Sequence, residues 1–249
     1  MCVIKIMNRY FIHFCFDGSK YHGWQIQPNS NTVQNELQKA LTILLRNNIE
    51  VVGAGRTDAG VHARKMVAHF DFETELDLDK LSYRLNRLLP CDIAVSRVEK
   101  VQNNVHARFS AVNRTYHYYI HTAKNPFLKT FSCELHYKLD FDLMNEAAQH
   151  LLQINDFGAF CKSHSDVKNT LCNVYYARWI KKSNSSWYFK ITANRFLRNM
   201  VRAIVGTLIE VGRGKMNIAE FDKVISGKKR TEAGESMPGN ALFLEDVEY

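Results

Sequence analysis

The stretch DLDKLSYRLNRLLPCDIAVSRV, residues 77–98, settles how the first half of the chain is organised. Asp77 is a favoured N-cap residue, and Leu78, Leu81, Leu85, Leu88 and Leu89 follow at helical spacing before Pro90 stops the run. Ile93 to Val98 then reads as a strand. Working backwards, Val67 to Phe72 alternates like a strand, and Glu50 to Val52 gives a shorter one. Thr32 is placed to cap a helix running to about Leu45, with Val33, Leu37, Ala40, Leu41 and Leu44 on one face. Tyr10 to Phe16 is a β-type run ending at the turn signal Asp17-Gly18. The order β-α-β-β-α-β is that of a split βαβ, ferredoxin-like unit.

The second half begins in the same way. Thr115 to His121 reads as a strand and Asp140 to Gln153 as a helix. Cys172 to Lys181 and Trp187 to Ala193 pair across the polar turn Lys182 to Ser186. A helix is expected from about Phe196 to Val211, ending at Gly212, then a shorter one from Ile218 to Ser226 and a last strand around Leu242 to Val247. The expected fold class is therefore α+β: two similar ferredoxin-like halves, 1–108 and 109–249, sharing a mainly antiparallel mixed sheet with helices on one side and a central cleft.

Composition narrows the function classes. The 33 Lys and Arg against 25 Asp and Glu give a net charge of +8, which favours a polyanionic partner such as nucleic acid. The six cysteines, from Cys2 to Cys172, form no Cys-x-x-Cys pair and read as thiols in a reducing compartment. The ten histidines form no metal-binding motif, no signal segment or membrane-spanning run is evident, and the expected setting is cytoplasmic.

The chemistry concentrates at GAGRTDAGVHA, residues 53–63. A phosphate loop of the Walker type needs Lys-Ser or Lys-Thr after its last glycine, where this chain has Val61-His62, and a dinucleotide fingerprint fails at Asp58. Asp58 two residues after Arg56 suggests an ionised carboxylate working on an anionic substrate, since a nearby cation favours the charged form. The structural alternative is that Asp58 only caps a turn. On helical geometry Arg195, Arg198 and Arg202 would share one face as a ligand-facing stripe. Tyr116 and Tyr118 alternate with His117 and Tyr119 on a strand preceded by Arg108 and Arg114, as a base-stacking surface or as half-buried sheet aromatics. The segment 16–27 fits either an RNA-contacting loop or a structural corner plugged by Trp24.

Together these segments resemble the tRNA pseudouridine synthase A family over nearly the whole chain. The resemblance rests on Asp17-Gly18 through Gly23-Trp24-Gln25 with Gln27 and Thr32-Val33-Gln34, and on the Gly-Arg-Thr-Asp core at 55–58. It continues through His106 to Ala111 with Arg114, Tyr116 and Tyr118, Asp156-Phe157 with Phe160, and Arg195 to Gly206. The resemblance implies that Asp58 is the catalytic aspartate and that Arg56 helps displace the target nucleotide. It implies that Tyr116 packs on the flipped uracil, that Arg202 pairs with Asp58, and that Leu242 forms an apolar wall. Arg108 and Arg198 are further expected substrate contacts. Around Leu242 the chain reads Pro238-Gly239-Asn240-Ala241, departing from the family's usual Gly-Leu. The implied reaction is isomerisation of uridine to pseudouridine at positions 38 to 40 of the tRNA anticodon arm, by a homodimer. Nothing is oxidised and no group is added, so no cofactor or metal is expected. The aspartate attacks C1′, adds to uracil C6, or abstracts a ribose proton. The rival classes are a non-catalytic RNA-binding protein and an enzyme acting on a small nucleotide.

Overall fold

The computed structural model describes residues 7–163 and 167–249; Cys2 lies outside them. The described residues hold nine strands and five α-helices, and the chain divides into two compact units. One comprises Met1–Val112 with Asp246–Tyr249, the other Asn113–Glu245.

The first unit contains β1 (Asn8–Phe16), α1 (Val33–Leu45), β2 (Val52–Gly53), β3 (His62–Phe72), α2 (Leu78–Leu88) and β4 (Ile93–Val101). Its strands lie in the order β4-β1-β3-β2, with every neighbour antiparallel. That is the split βαβ arrangement expected from the sequence. Successive strand residues face opposite ways, and β1 is buried on both sides. Tyr10, Ile12, Phe14 and Phe16 belong to one face, where Tyr10 stacks on Phe70 with ring centroids 5.3 Å apart. Arg9, Phe11 and His13 belong to the other. There Arg9 holds Asp71 through two 2.7 Å hydrogen bonds and also donates to the Val105 carbonyl at 3.1 Å. Phe11 packs against Tyr249, and the Ala107 N–H donates to His69 Nδ1.

Helix α2 begins as the sequence indicates, with the Asp77 carboxylate accepting from the Lys80 N–H at 3.0 Å. Leu81, Leu85 and Leu89 are buried, but Leu88 is exposed. Helix α1 begins after Thr32 without using that side chain as a cap. Its first two N–H groups donate instead to the Gly23 and Trp24 carbonyls.

The second unit contains β5 (Asn113–His121), β6 (Cys133–Glu134), α3 (Phe141–His150), β7 (Val174–Ser183), β8 (Ser186–Ala193), α4 (Met200–Gly212), α5 (Ile218–Gly227) and the first part of β9 (Leu242–Glu248). The strand order β9-β5-β8-β7 repeats that of the first unit, position for position. The short β6, absent from the sequence reading, runs parallel to β5 and makes the pairing mixed. Phe189, Ile191, Tyr118 and Ile120 are buried along with Met144, Ala147 and Ala148 of α3 and most of α4. Among the described residues no helix is long and apolar enough to cross a membrane. The five described cysteines are free thiols, with burial pushing the Cys172 thiol up to about 11.

Burial also sets a pH response. His69 is 5% exposed, and burial, helped by Arg9 and His106 against Asp71, lowers its pKa to about 4. Its folded pKa lies below the ordinary value of about 6.5, so its stabilising contribution is complete above that pH. The contribution is lost as pH falls from about 6.5 to about 4, up to a few kcal/mol in total. Burial lowers His13 and His106 in the same direction. Urea midpoints at pH 7 and pH 4.5 should therefore show lower stability in acid, and a smaller drop in His69→Gln than in the parent.

Candidate active site

The loop between β2 and β3 carries Asp58, and its shape is set by the segment 17–24. The Trp24 N–H donates to the Thr57 carbonyl at 3.3 Å, the Gly60 N–H to the Tyr21 carbonyl at 3.2 Å, and the Gly18 N–H to His62 Nδ1 at 3.0 Å. These bonds bring two backbones together with no room for a side chain. A Cβ at Gly23 would lie 2.2 Å from the Thr57 carbonyl oxygen, and one at Gly18 would lie 2.0 Å from that of Val61. Gly23 also sits at φ +92°, which L side chains rarely adopt. The clamp is anchored in turn by the Tyr21 hydroxyl, which donates to Asp92 at 2.5 Å, and by the Asp17 N–H on the Asp92 carbonyl.

Of the two readings of the segment 16–27, the structure bears out the corner plugged by Trp24. Trp24 is 3% exposed, with its ring over Gly53 and 5.7 Å from that of Phe14, so it is the core plug of a structural corner. Close approaches at this site are made by Gly18 and Gly23, and by Gly53 under the Trp24 ring. Gly55, by contrast, faces open space on the side where a Cβ would stand. Within this clamp Asp58 is half-buried and closes a turn through the Val61 N–H, which donates to its carbonyl. Arg56 is exposed and makes no ion pair among the described residues. An exposed guanidinium two residues from a half-buried carboxylate suits phosphate or base contact.

The other expected site residues belong to the second unit, apart from Arg108, which is exposed in the first. Tyr116 is 9% exposed on β5, in edge contact with Phe196 at 5.0 Å between centroids. Leu242 is buried at the start of β9. It follows a 3₁₀ turn, Gly239–Ala241, held by the Tyr118 hydroxyl on the Pro238 carbonyl at 3.0 Å. The arginine stripe does not form. Helix α4 starts at Met200, because Asn199 takes the left-handed conformation (φ 68°), leaving Arg195 and Arg198 in irregular backbone. Arg195 donates to Asn169 at 3.1 Å, and Arg198 is exposed with its carbonyl taken by the Lys162 N–H. Only Arg202 is helical, and its Nε donates to the Met237 carbonyl at 2.5 Å while the Met237 N–H donates back to its carbonyl.

That pairing belongs to a strap, residues 230–238, which lies along α4 and which the sequence reading left unassigned. Arg230 holds it together by donating to the Ala233 and Gly234 carbonyls and to Ser236 Oγ. Gly206 allows its close approach, since a Cβ there would overlap the Glu235 carbonyl. Thr207 Oγ1 accepts from the Gly234 N–H at 2.9 Å. Gln34, one of the residues that carry the resemblance, has a structural role. Its amide donates to the Val51 carbonyl and accepts from the Ile26 N–H, tying the 17–27 corner to the residues that enter the Asp58 loop.

The tRNA pseudouridine synthase family model matches residues 13–110 and 147–249. The tRNA pseudouridine synthase A of Bacteroides fragilis is 55% identical over 98% of this chain and 97% of its own length. That of Bacteroides thetaiotaomicron is 55% identical over 98% and 91%, and that of Bacillus subtilis 40% identical over 94% and 96%. The chain belongs to the tRNA pseudouridine synthase family, a family of isomerases.

The clamp predicts that Gly23→Ala moves the Thr57-Asp58 peptide while leaving the strand pairing intact. Misplacement of a reacting group by about 1 Å costs roughly a hundredfold in rate. The rate of pseudouridine formation should fall by about that factor in Gly23→Ala, with an unchanged far-ultraviolet dichroism spectrum.

Proposed function

We propose that this protein converts uridine to pseudouridine at positions 38 to 40 of the tRNA anticodon stem-loop, with Asp58 as the reacting carboxylate. The observation that carries the reading is the clamped Asp58 itself. A turn cap would not require a loop fixed by two backbone approaches that admit no side chain. The reaction detaches uracil from C1′, turns it, and rejoins it through C5, so atoms balance without an outside group. An ionised carboxylate serves each of three schemes: attack at C1′, addition to uracil C6, or removal of a ribose proton.

A paired base must leave the stack before any of these, at a cost of a few kcal/mol. In this reading Arg56 occupies the vacated space, which suits its exposure. Tyr116 packs on the extruded base, Leu242 supplies an apolar wall, and Arg202 contributes the positive charge that favours an ionised carboxylate. Arg108 and Arg198 contact phosphates or bases, as their exposure permits. The catalytic loop then belongs to the N-terminal part of the chain, and Tyr116 and Arg202 to the C-terminal part. The net charge of +8 suits a tRNA partner. The working protein in this reading is a cytoplasmic homodimer that recognises RNA largely by shape.

Incubation with a uridine-labelled tRNA transcript, followed by mapping of the product, tests the reading directly. Pseudouridine at 38 to 40 supports it, and untouched uridine at all three positions overturns it. Asp58→Asn should lower turnover by roughly four orders of magnitude or more while tRNA still binds in a filter assay; a turning-over Asn variant removes Asp58 from the chemistry.

Arg202→Ala separates catalysis from packing. Loss of the Met237 bond should cost about 1 kcal/mol of stability, whereas turnover should fall roughly a hundredfold. Thermal midpoint and single-turnover rate, measured on the same preparation, check the two effects.

A further inference from the structure

The turn after β4 displays an aromatic ring that the fold does not bury. Phe109 is 78% exposed. A single exposed apolar side chain needs no explanation, but this one is held with unusual care. The His106 ring lies against it with centroids 4.4 Å apart and planes at 32°, and His69 backs His106 edge-on at 4.6 Å. His106 Nδ1 accepts from both the Arg108 and Phe109 N–H groups, and the His106 N–H donates to Ser110 Oγ. Ala107 beneath them is fully buried, its N–H on His69 Nδ1 and its carbonyl on the Tyr249 hydroxyl at 2.7 Å. The Arg108 guanidinium stands 5.7 Å from the centroid of the Phe109 ring.

An exposed flat ring, immobilised from behind and accompanied by an arginine, has the parts of a nucleobase platform. Bases stack on aromatic rings whatever their identity, and a guanidinium adds cation–π attraction and a phosphate contact. Because the turn is already ordered, little conformational entropy remains to be lost on binding. The overall charge favours RNA over another copy of the chain, which would bring a second charge of +8 against the same surface. Resting on the tRNA reading above, we propose that Phe109 and Arg108 form a stacking platform for an unpaired base of the bound tRNA, separate from the uridine that reacts.

The test compares the affinity of full-length protein for unmodified tRNA in Phe109→Ala, Phe109→Trp and Arg108→Gln, by fluorescence anisotropy over a salt series. Phe109→Ala should weaken binding roughly five- to a hundredfold, and Phe109→Trp should restore it. The slope of log Kd against log salt should stay unchanged in Phe109→Ala and fall by about one in Arg108→Gln. The thermal midpoint should hold in Phe109→Ala, since the ring is mostly in water. Parental affinity in Phe109→Ala overturns the platform. So does parental affinity with a changed size-exclusion profile, which assigns the ring to an interface between copies. Pseudouridine formation by the parent protein is scored separately, so failure of the platform is distinguishable from failure of the tRNA reading.

Discussion

The first unit depends on a contact between two stretches of backbone. Gly23 and Trp24 use both edges of their peptide groups: the Trp24 N–H holds the Thr57 carbonyl, and the two carbonyls receive the opening N–H groups of α1. Helix starts leave such donors unsatisfied, and here a loop supplies what a side-chain cap would otherwise supply. The start of α1, the corner under Trp24 and the loop bearing Asp58 are thereby one rigid assembly. The conformation of the loop bearing Asp58 is set by folding.

The second unit meets the same need differently. The strap over α4 has no regular structure of its own, yet Arg230 bonds it internally and Asn199 and Thr207 tie it to the helix and its start. It takes the carbonyl of Met237 to Arg202 and that of Pro238 to Tyr118. Its exit into the 3₁₀ turn sets where Leu242 begins β9. Within Pro238-Gly239-Asn240-Ala241 the Pro238 carbonyl accepts from Tyr118, and the Asn240 amide donates to the Lys129 and Thr130 carbonyls.

Strands and amphipathic helices were legible because period two and period 3.6 are written in the side chains themselves. The order of the strands followed from connection rules, and the repetition of that order in the second unit was expected from its elements. What could not be read was whatever turns on a single backbone angle or a distant carbonyl. Nothing in Phe196-Leu197-Arg198-Asn199 announces that Asn199 is left-handed, and that one angle disperses an arginine stripe that helical geometry had assembled. Thr32 looks like a cap, but its side chain makes no cap bond, and the Val33 and Gln34 N–H groups go to the Gly23 and Trp24 carbonyls. Asp58 stood out through its chemistry, while its supports Gly18, Gly23 and Gln34 were recognisable only as motif letters. Their work is done at contacts that sequence distance conceals.

The division of the chain has a consequence for the timing of its assembly. Residues 246–249 belong to the first unit, where Tyr249 packs on Phe11 and reaches the Ala107 carbonyl across 142 positions, and Asp246 pairs with Lys65. During synthesis the N-terminal strands emerge early, yet the unit they build stays open until every residue of the second has been made. Contacts of such separation slow folding, because the intervening loop must close before they contribute. The exposed flank of β3 and the face carrying Phe11 must meanwhile avoid other partners. A half-made chain therefore holds the clamped aspartate loop in an unfinished domain, and the order of translation withholds the completed unit until the ribosome has finished the rest.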